Sequence, residues 1–154
     1  MNARTMRTLP GNKLRVMVAG DHDEVLQEIA SLLEGEFLVV ATVNNVHAVL
    51  ECVRRYQPDA VVLDLEVPIL DSLEIATELM KIPSPPAVVI CSDQIDPEVV
   101  VDARQAGAMG YVFKTRMAQD LVEAVKTAVR GETFISSRCS LAHGIDALGL
   151  LWPI

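Results

Sequence analysis

A chain of 154 residues, 51% hydrophobic and 22% charged, holds enough apolar material for one full core but not comfortably for two, so a single globular domain is expected. The net charge of −8 opposes the counterion release that draws proteins to nucleic acid, which argues against direct DNA binding by this chain. No stretch approaches the roughly 18 apolar residues of a membrane span, and residues 1–13, with Arg4, Arg7 and Lys13, contain no apolar signal core, so a cytoplasmic chain with no membrane contact is expected.

Apolar runs then alternate with amphipathic segments. The spacing predicts a first strand over 14–19 and a helix over 22–34, with Asp21 as a candidate cap, Leu26, Ile29 and Leu33 on one face and Gly35 as the stop. A second strand is expected over 37–43, and a helix beginning at Asn45 carries Val46, Val49, Leu50 and Val53. Pro58 leads into a third strand over 60–64, wholly apolar until Asp64. After Pro68, Asp71 or Ser72 is expected to cap a short helix that ends before the prolines at 83, 85 and 86. A fourth strand over 87–91 is followed by Asp96-Pro97-Glu98, an N-cap acid, a proline at the first helical position and an acid in the first turn. A fifth strand over 111–113 and a helix over 117–129, stopped by Gly131, complete five βα units. Such alternation implies an α/β fold: a doubly wound parallel sheet with helices on both faces.

Sheets of this kind bind ligands at the C-terminal ends of their strands. Those ends carry Gly20-Asp21-His22-Asp23, then Asp64, then Ser92-Asp93, then Lys114-Thr115. Singly, Asp64 and Asp21 read as caps, Ser92 as a turn residue and Lys114 as a solvated lysine. Together they place two acids, a hydroxyl and an ammonium on one rim, which suits phosphoryl transfer to a carboxylate: two acids can hold Mg²⁺, and the hydroxyl and ammonium can hold phosphoryl oxygens.

These residues resemble the receiver domain of two-component response regulators. The features that match are 15–22, the Asp64 strand with Pro68 four residues on, Val88 to Ser92, and Gly107-Ala108-Met109-Gly110-Tyr111-Val112-Phe113-Lys114, within a receiver segment of 14–136. The ending Gly-Tyr-x-x-Lys, with Gly131-Glu132-Thr133-Phe134, is most similar to receivers that precede helix-turn-helix output domains. The resemblance implies the flavodoxin-like receiver fold, five strands in the order 2-1-3-4-5. It also implies Asp64 as phosphoacceptor, Asp21, Asp64 and the backbone carbonyl of Glu66 as Mg²⁺ ligands, Ser92 as the switch hydroxyl, Lys114 as the phosphoryl-binding lysine and Tyr111 as the switch aromatic. Phosphorylation is expected to bring Lys114 toward Asp64, draw Ser92 inward and open space that Tyr111 enters. The implied partners are a histidine kinase or phosphotransfer protein, and a second copy through the fourth helix, fifth strand and fifth helix. Apart from taking up and losing its own phosphoryl group, such a chain is not an enzyme.

Two departures stand out. Gly20 occupies a position where similar receivers carry an acid, so Mg²⁺ binding is expected to be weakened, and Gly20→Asp to strengthen it. Nineteen residues follow Ile135, and 137–154 reads as a linker remnant or apolar tail with Leu150, Leu151 and Trp152, without an output domain. A degenerate receiver that binds partners without phosphorylation is the alternative. A phosphatase of the haloacid dehalogenase type is a remote third reading, because Glu66 stands where its second aspartate belongs.

Overall fold

Strands that are apolar at successive positions can be buried only in a sheet covered on both faces. In the computed structural model, which describes residues 13–65 and 69–136, that is how the central strands are used. The elements are β1 (Arg15–Ala19), α1 (Asp23–Leu33), β2 (Leu38–Val43), α2 (Val49–Tyr56), β3 (Ala60–Leu65), α3 (Ile69–Leu79), β4 (Ala87–Ser92), α4 (Pro97–Gln105), β5 (Gly110–Phe113), α5 (Met117–Val129) and β6 (Phe134–Ile135). Single 3-10 turns at Val46–Ala48 and Lys114–Arg116 lead into α2 and α5. All strands run parallel, in the order β2-β1-β3-β4-β5-β6.

Alternate residues along each strand point to opposite faces, so the sheet divides the core in two. Met17, Val61, Leu63, Val88 and Ile90 pack with Val49, Val53, Ala76, Leu79, Val100 and Ala103 of α2, α3 and α4. Val16, Val18, Val62, Val89 and Val112 pack with Leu26, Ile29, Leu33, Leu121, Ala124 and Val125 of α1 and α5. The doubly wound architecture is the one expected, and 2-1-3-4-5 is the observed order of its first five strands.

The sheet has a sixth strand that was not expected. Phe134 and Ile135 pair with Gly110 and Tyr111, and Phe134 N–H donates to the Met109 carbonyl at 2.9 Å. A two-residue strand has no periodicity to read, which is why the pattern ended at five.

Helix starts follow local chemistry. Asp96 caps α4, accepting from the Glu98 N–H at 2.9 Å with Pro97 at the first position, a cap worth about 1 kcal/mol. At α1 the capping position belongs to His22, not Asp21, and Asp23 and Glu24 oppose the helix dipole from the first turn. Asn45 starts a 3-10 turn, its Oδ1 accepting from the His47 N–H at 2.9 Å, before α2 begins at Val49. α3 starts at Ile69, directly after Pro68 in the chain, so Asp71 and Ser72 fall inside its first turn and do not cap it. Gly107 ends the α4 turn at φ 110°, a left-handed conformation that glycine adopts without penalty. No helix among the described residues is long and apolar enough to cross a membrane. The expectations placed on 1–12, on the Glu66 carbonyl and Pro68 loop, and on 137–154 lie outside the described residues.

Candidate functional site

The parallel ladder brings the ends of β1, β3, β4 and β5 to one rim. β3 runs to Leu65, so Asp64 is still in register, opposite Cys91 of β4. Its side chain is 0% exposed, and its Oδ1 lies 2.6 Å from the Lys114 ammonium, itself 12% exposed at the start of the turn after β5. Two expected site residues, from strand ends separated by β4, are therefore joined in a covered ion pair. A buried carboxylate tolerates its charge only with such compensation.

On its other flank Asp64 meets Gly20. An ideal Cβ built on Gly20 would lie 2.7 Å from Asp64 Cβ, 3.3 Å from Asp64 Oδ2 and 3.2 Å from Leu26 Cδ2. The space of a side chain at position 20 is taken by the acid of β3. An aspartate at position 20 would meet the acid of β3 as well as add a charge. Cys91 shares this neighbourhood. Burial pushes its thiol far above the ordinary range and the Asp64 charge pushes it further, with Lys114 pulling back, so it stays a neutral thiol and not a nucleophile.

Ser92 and Tyr111 form a second group. Ser92 is fully buried and its Oγ accepts from the Gln94 N–H at 2.9 Å. Tyr111 is fully buried as well, its hydroxyl donating to the Gln94 carbonyl at 2.7 Å and its ring standing edge-on to Phe113 at 5.8 Å between centroids. Burial raises the Tyr111 hydroxyl to about 12, while a hydrogen bond with Ser92 pulls it down and the charge of Asp96 raises it, so it remains a donor at neutral pH. Lys114 thus rests on Asp64, and Ser92 and Tyr111 are both buried.

Gln94 is the residue that sequence reasoning missed. It joins Ser92 to Tyr111 through its backbone N–H and carbonyl, groups that every residue but proline carries, so no side-chain signal could reveal it. Ser136 is a second, its Oγ accepting from the Phe113 N–H at 3.0 Å and tying β6 to the end of β5.

Asp21, one residue beyond Gly20, is exposed, as are His22 and Asp93. Asp21 and Asp64 are hard oxygen donors on adjacent strand ends, a donor set that suits Mg²⁺. Among the described residues no group of three His, Cys, Asp or Glu could hold a metal by itself, so such an ion would draw its remaining ligands from backbone, water and phosphoryl oxygens. A groove of about 970 Å³, lined in part by Leu50, Val53, Pro58 and Ile82, lies at the opposite end of β3 and takes no part in this rim.

The family model of the response regulator receiver domain matches residues 16–126. The transcriptional regulatory protein DegU of Brevibacillus brevis is 29% identical over 126 residues, covering 80% of this chain and 53% of that protein. The positive alginate biosynthesis regulatory protein of Pseudomonas aeruginosa is 32% identical over 120 residues, covering 76% of this chain and 48% of that protein. The chain thus spans about half the length of these curated relatives. Among solved structures, the signal receiver domain of NarL from Mycobacterium tuberculosis superposes with a TM-score of 0.72 at 29% identity, over 78% of this chain and 98% of that one. A two-component response regulator of the LuxR family from Aurantimonas sp. SI85-9A1 gives 0.78 at 25% identity, over 88% and 97%.

Proposed function

Because the chain belongs to the family of response regulator receiver domains, we propose that Asp64 accepts a phosphoryl group from a histidine kinase or phosphotransfer protein and that residues 14–136 then change their protein contacts. The observation that carries this reading is the covered contact of 2.6 Å between Lys114 and Asp64. It puts a fixed positive charge beside the one carboxylate at the end of β3, where the negative charge of a phosphoryl group would arrive.

In the transfer, an oxygen of Asp64 attacks the phosphorus in line with the donor's leaving group. A bond from phosphorus to the carboxylate forms as the bond to the donor's imidazole nitrogen breaks, and the imidazole departs. Lys114 holds a phosphoryl oxygen, and Ser92 can donate its hydroxyl to another. Asp21, Asp64 and the Glu66 backbone carbonyl would hold Mg²⁺, which supplies charge neutralisation to the phosphoryl oxygens. Uptake and loss of this group are the only chemistry assigned, and a cytoplasmic setting is part of the same proposal.

The outward route runs from Lys114 and Ser92 through Gln94 and Tyr111 to the surface of α4, β5 and α5. Val100, Ala103 and Val125 are spent on the core, whereas Val99 and Val122 are half-buried and Ile95, in the loop before α4, is 44% exposed. Those residues, presented to a protein partner or to a second copy, form the proposed contact surface. The relatives are named as transcriptional regulators, but DNA contact by this chain is no part of the proposal, given its net charge of −8.

A second reading, a receiver that signals without phosphorylation, is favoured by one observation: the Asp64 side chain is 0% exposed and already paired with Lys114. Intact mass after incubation with acetyl phosphate, with and without Mg²⁺, separates the two. One added phosphoryl group that requires Mg²⁺ supports the first. Unchanged mass defeats it and leaves the second.

A further inference from the structure

Gly20 has no conformational reason to be glycine, because its backbone is not in the left-handed region that favours this residue. What it provides is space. A Cβ at this position would stand 2.7 Å from Asp64 Cβ, about 0.7 Å inside the 3.4 Å at which ordinary van der Waals contact begins. A Cβ is fixed by its backbone, so no rotation of either side chain relieves the clash. The Gly20 N–H is held to the Val43 carbonyl of β2 at 3.0 Å, Asp64 is held in the β3–β4 ladder opposite Cys91, and Leu26, 3.2 Å from the added carbon, is 2% exposed. Relief has to come from moving the end of β1 or the end of β3.

We infer that Gly20 is a positioning residue of the phosphoacceptor: its missing side chain lets β1 and β3 close together and seats Asp64 with one oxygen on the Lys114 ammonium and the other toward β1. The inference rests on the proposed role of Asp64. It reverses the meaning of the departure at position 20, since what matters there is the volume left empty and not the charge lost. Alanine, which adds no charge, and aspartate, which adds one, are then both expected to impair the site. Displacing a reacting group by a distance approaching 1 Å costs on the order of ten- to a hundredfold in rate.

The test uses the full chain with acetyl phosphate and saturating Mg²⁺, comparing wild type, Gly20→Ala, Gly20→Asp and Gly35→Ala, the last a control because a Cβ at Gly35 meets nothing within 4 Å. Expected is a loss of at least tenfold in maximal phosphoryl uptake for both Gly20 variants, with the half-saturating phosphodonor concentration little changed and Gly35→Ala like wild type. Uptake by folded Gly20→Ala within twofold of wild type, or faster uptake by Gly20→Asp, overturns the inference. Crystal structures provide the second readout, which needs no uptake and whose wild-type arm needs no variant. A wild-type structure with room for a Cβ at position 20 at 3.4 Å or more from Asp64 Cβ overturns the inference; close approach, with Asp64 drawn off Lys114 in any Gly20→Ala crystal, supports it. Should wild type take up no phosphoryl group, the proposed function fails, and the crystal structures still decide whether Gly20 seats Asp64.

Discussion

Replacing Lys114 by methionine keeps most of the side chain's length and removes the charge beside a carboxylate whose side chain is 0% exposed. Breaking a buried pair from one side costs about 3–5 kcal/mol, because the remaining charge stays in a poorly solvating site. Lys114 is itself 12% exposed and the pair lies on the rim, so the lower end applies, about 3 kcal/mol, or about 10 °C in Tm for a domain of this size. The reverse change, Asp64→Asn, is expected to cost only about 1 kcal/mol, since a lysine on a flexible stem can turn its ammonium to water whereas Asp64, fixed in the β3 ladder, cannot. The double variant Asp64→Asn/Lys114→Met should then be more stable than Lys114→Met alone. Urea denaturation at neutral pH of all four proteins measures the cycle. A loss below about 0.5 kcal/mol for Lys114→Met, or equal losses for the two single variants, would refute the claim that the ammonium compensates a buried charge.

Other expectations follow from the Ser92 and Tyr111 group and from the charge. With its hydroxyl raised from 10.0 to about 12, Tyr111 favours the folded state fully below pH 10 and loses that contribution as pH rises through 12. Phenolate absorbance should show one tyrosine ionising near pH 12 in the folded chain but not in Tyr111→Phe, and a wild type in which no tyrosine ionises near 12 would contradict the buried placement. Ser92→Ala is expected to leave phosphoryl uptake largely intact while weakening any phosphorylation-dependent partner binding or dimerisation, measured by sedimentation; wild-type switching in that variant would show the route through Gln94 to be wrong. Retention on random duplex DNA at physiological salt should be negligible for a chain of net charge −8, and measurable retention would overturn that expectation.

How much of this was legible in the sequence depends on what carries the information. The strands β1, β3, β4 and β5 announce themselves because both faces of each need apolar cover, and α4 because Asp96, Pro97 and Glu98 each satisfy a different requirement of a helix start. The approach of Lys114 to Asp64 could be anticipated, since parallel strands deliver their C-terminal residues to one rim. Backbone-mediated features were hidden. Gln94 acts through main-chain groups, and β6 is two residues held by its neighbours in the sheet and by Ser136. The close approach at Gly20 was hidden for a related reason: a sequence shows which side chain is missing, but only the structure gives the 2.7 Å between a Cβ at position 20 and Asp64 Cβ.

The central claim, that Asp64 is the phosphoacceptor, is tested most directly by locating the phosphoryl group. Borohydride reduces an aspartyl phosphate to homoserine and leaves free carboxylates unchanged, so peptide mapping after exposure to acetyl phosphate, Mg²⁺ and borohydride identifies the modified residue. The account predicts homoserine at position 64 alone, and none in Asp64→Asn. Homoserine at Asp21 or any other acid, or none anywhere in the wild-type chain, would contradict it.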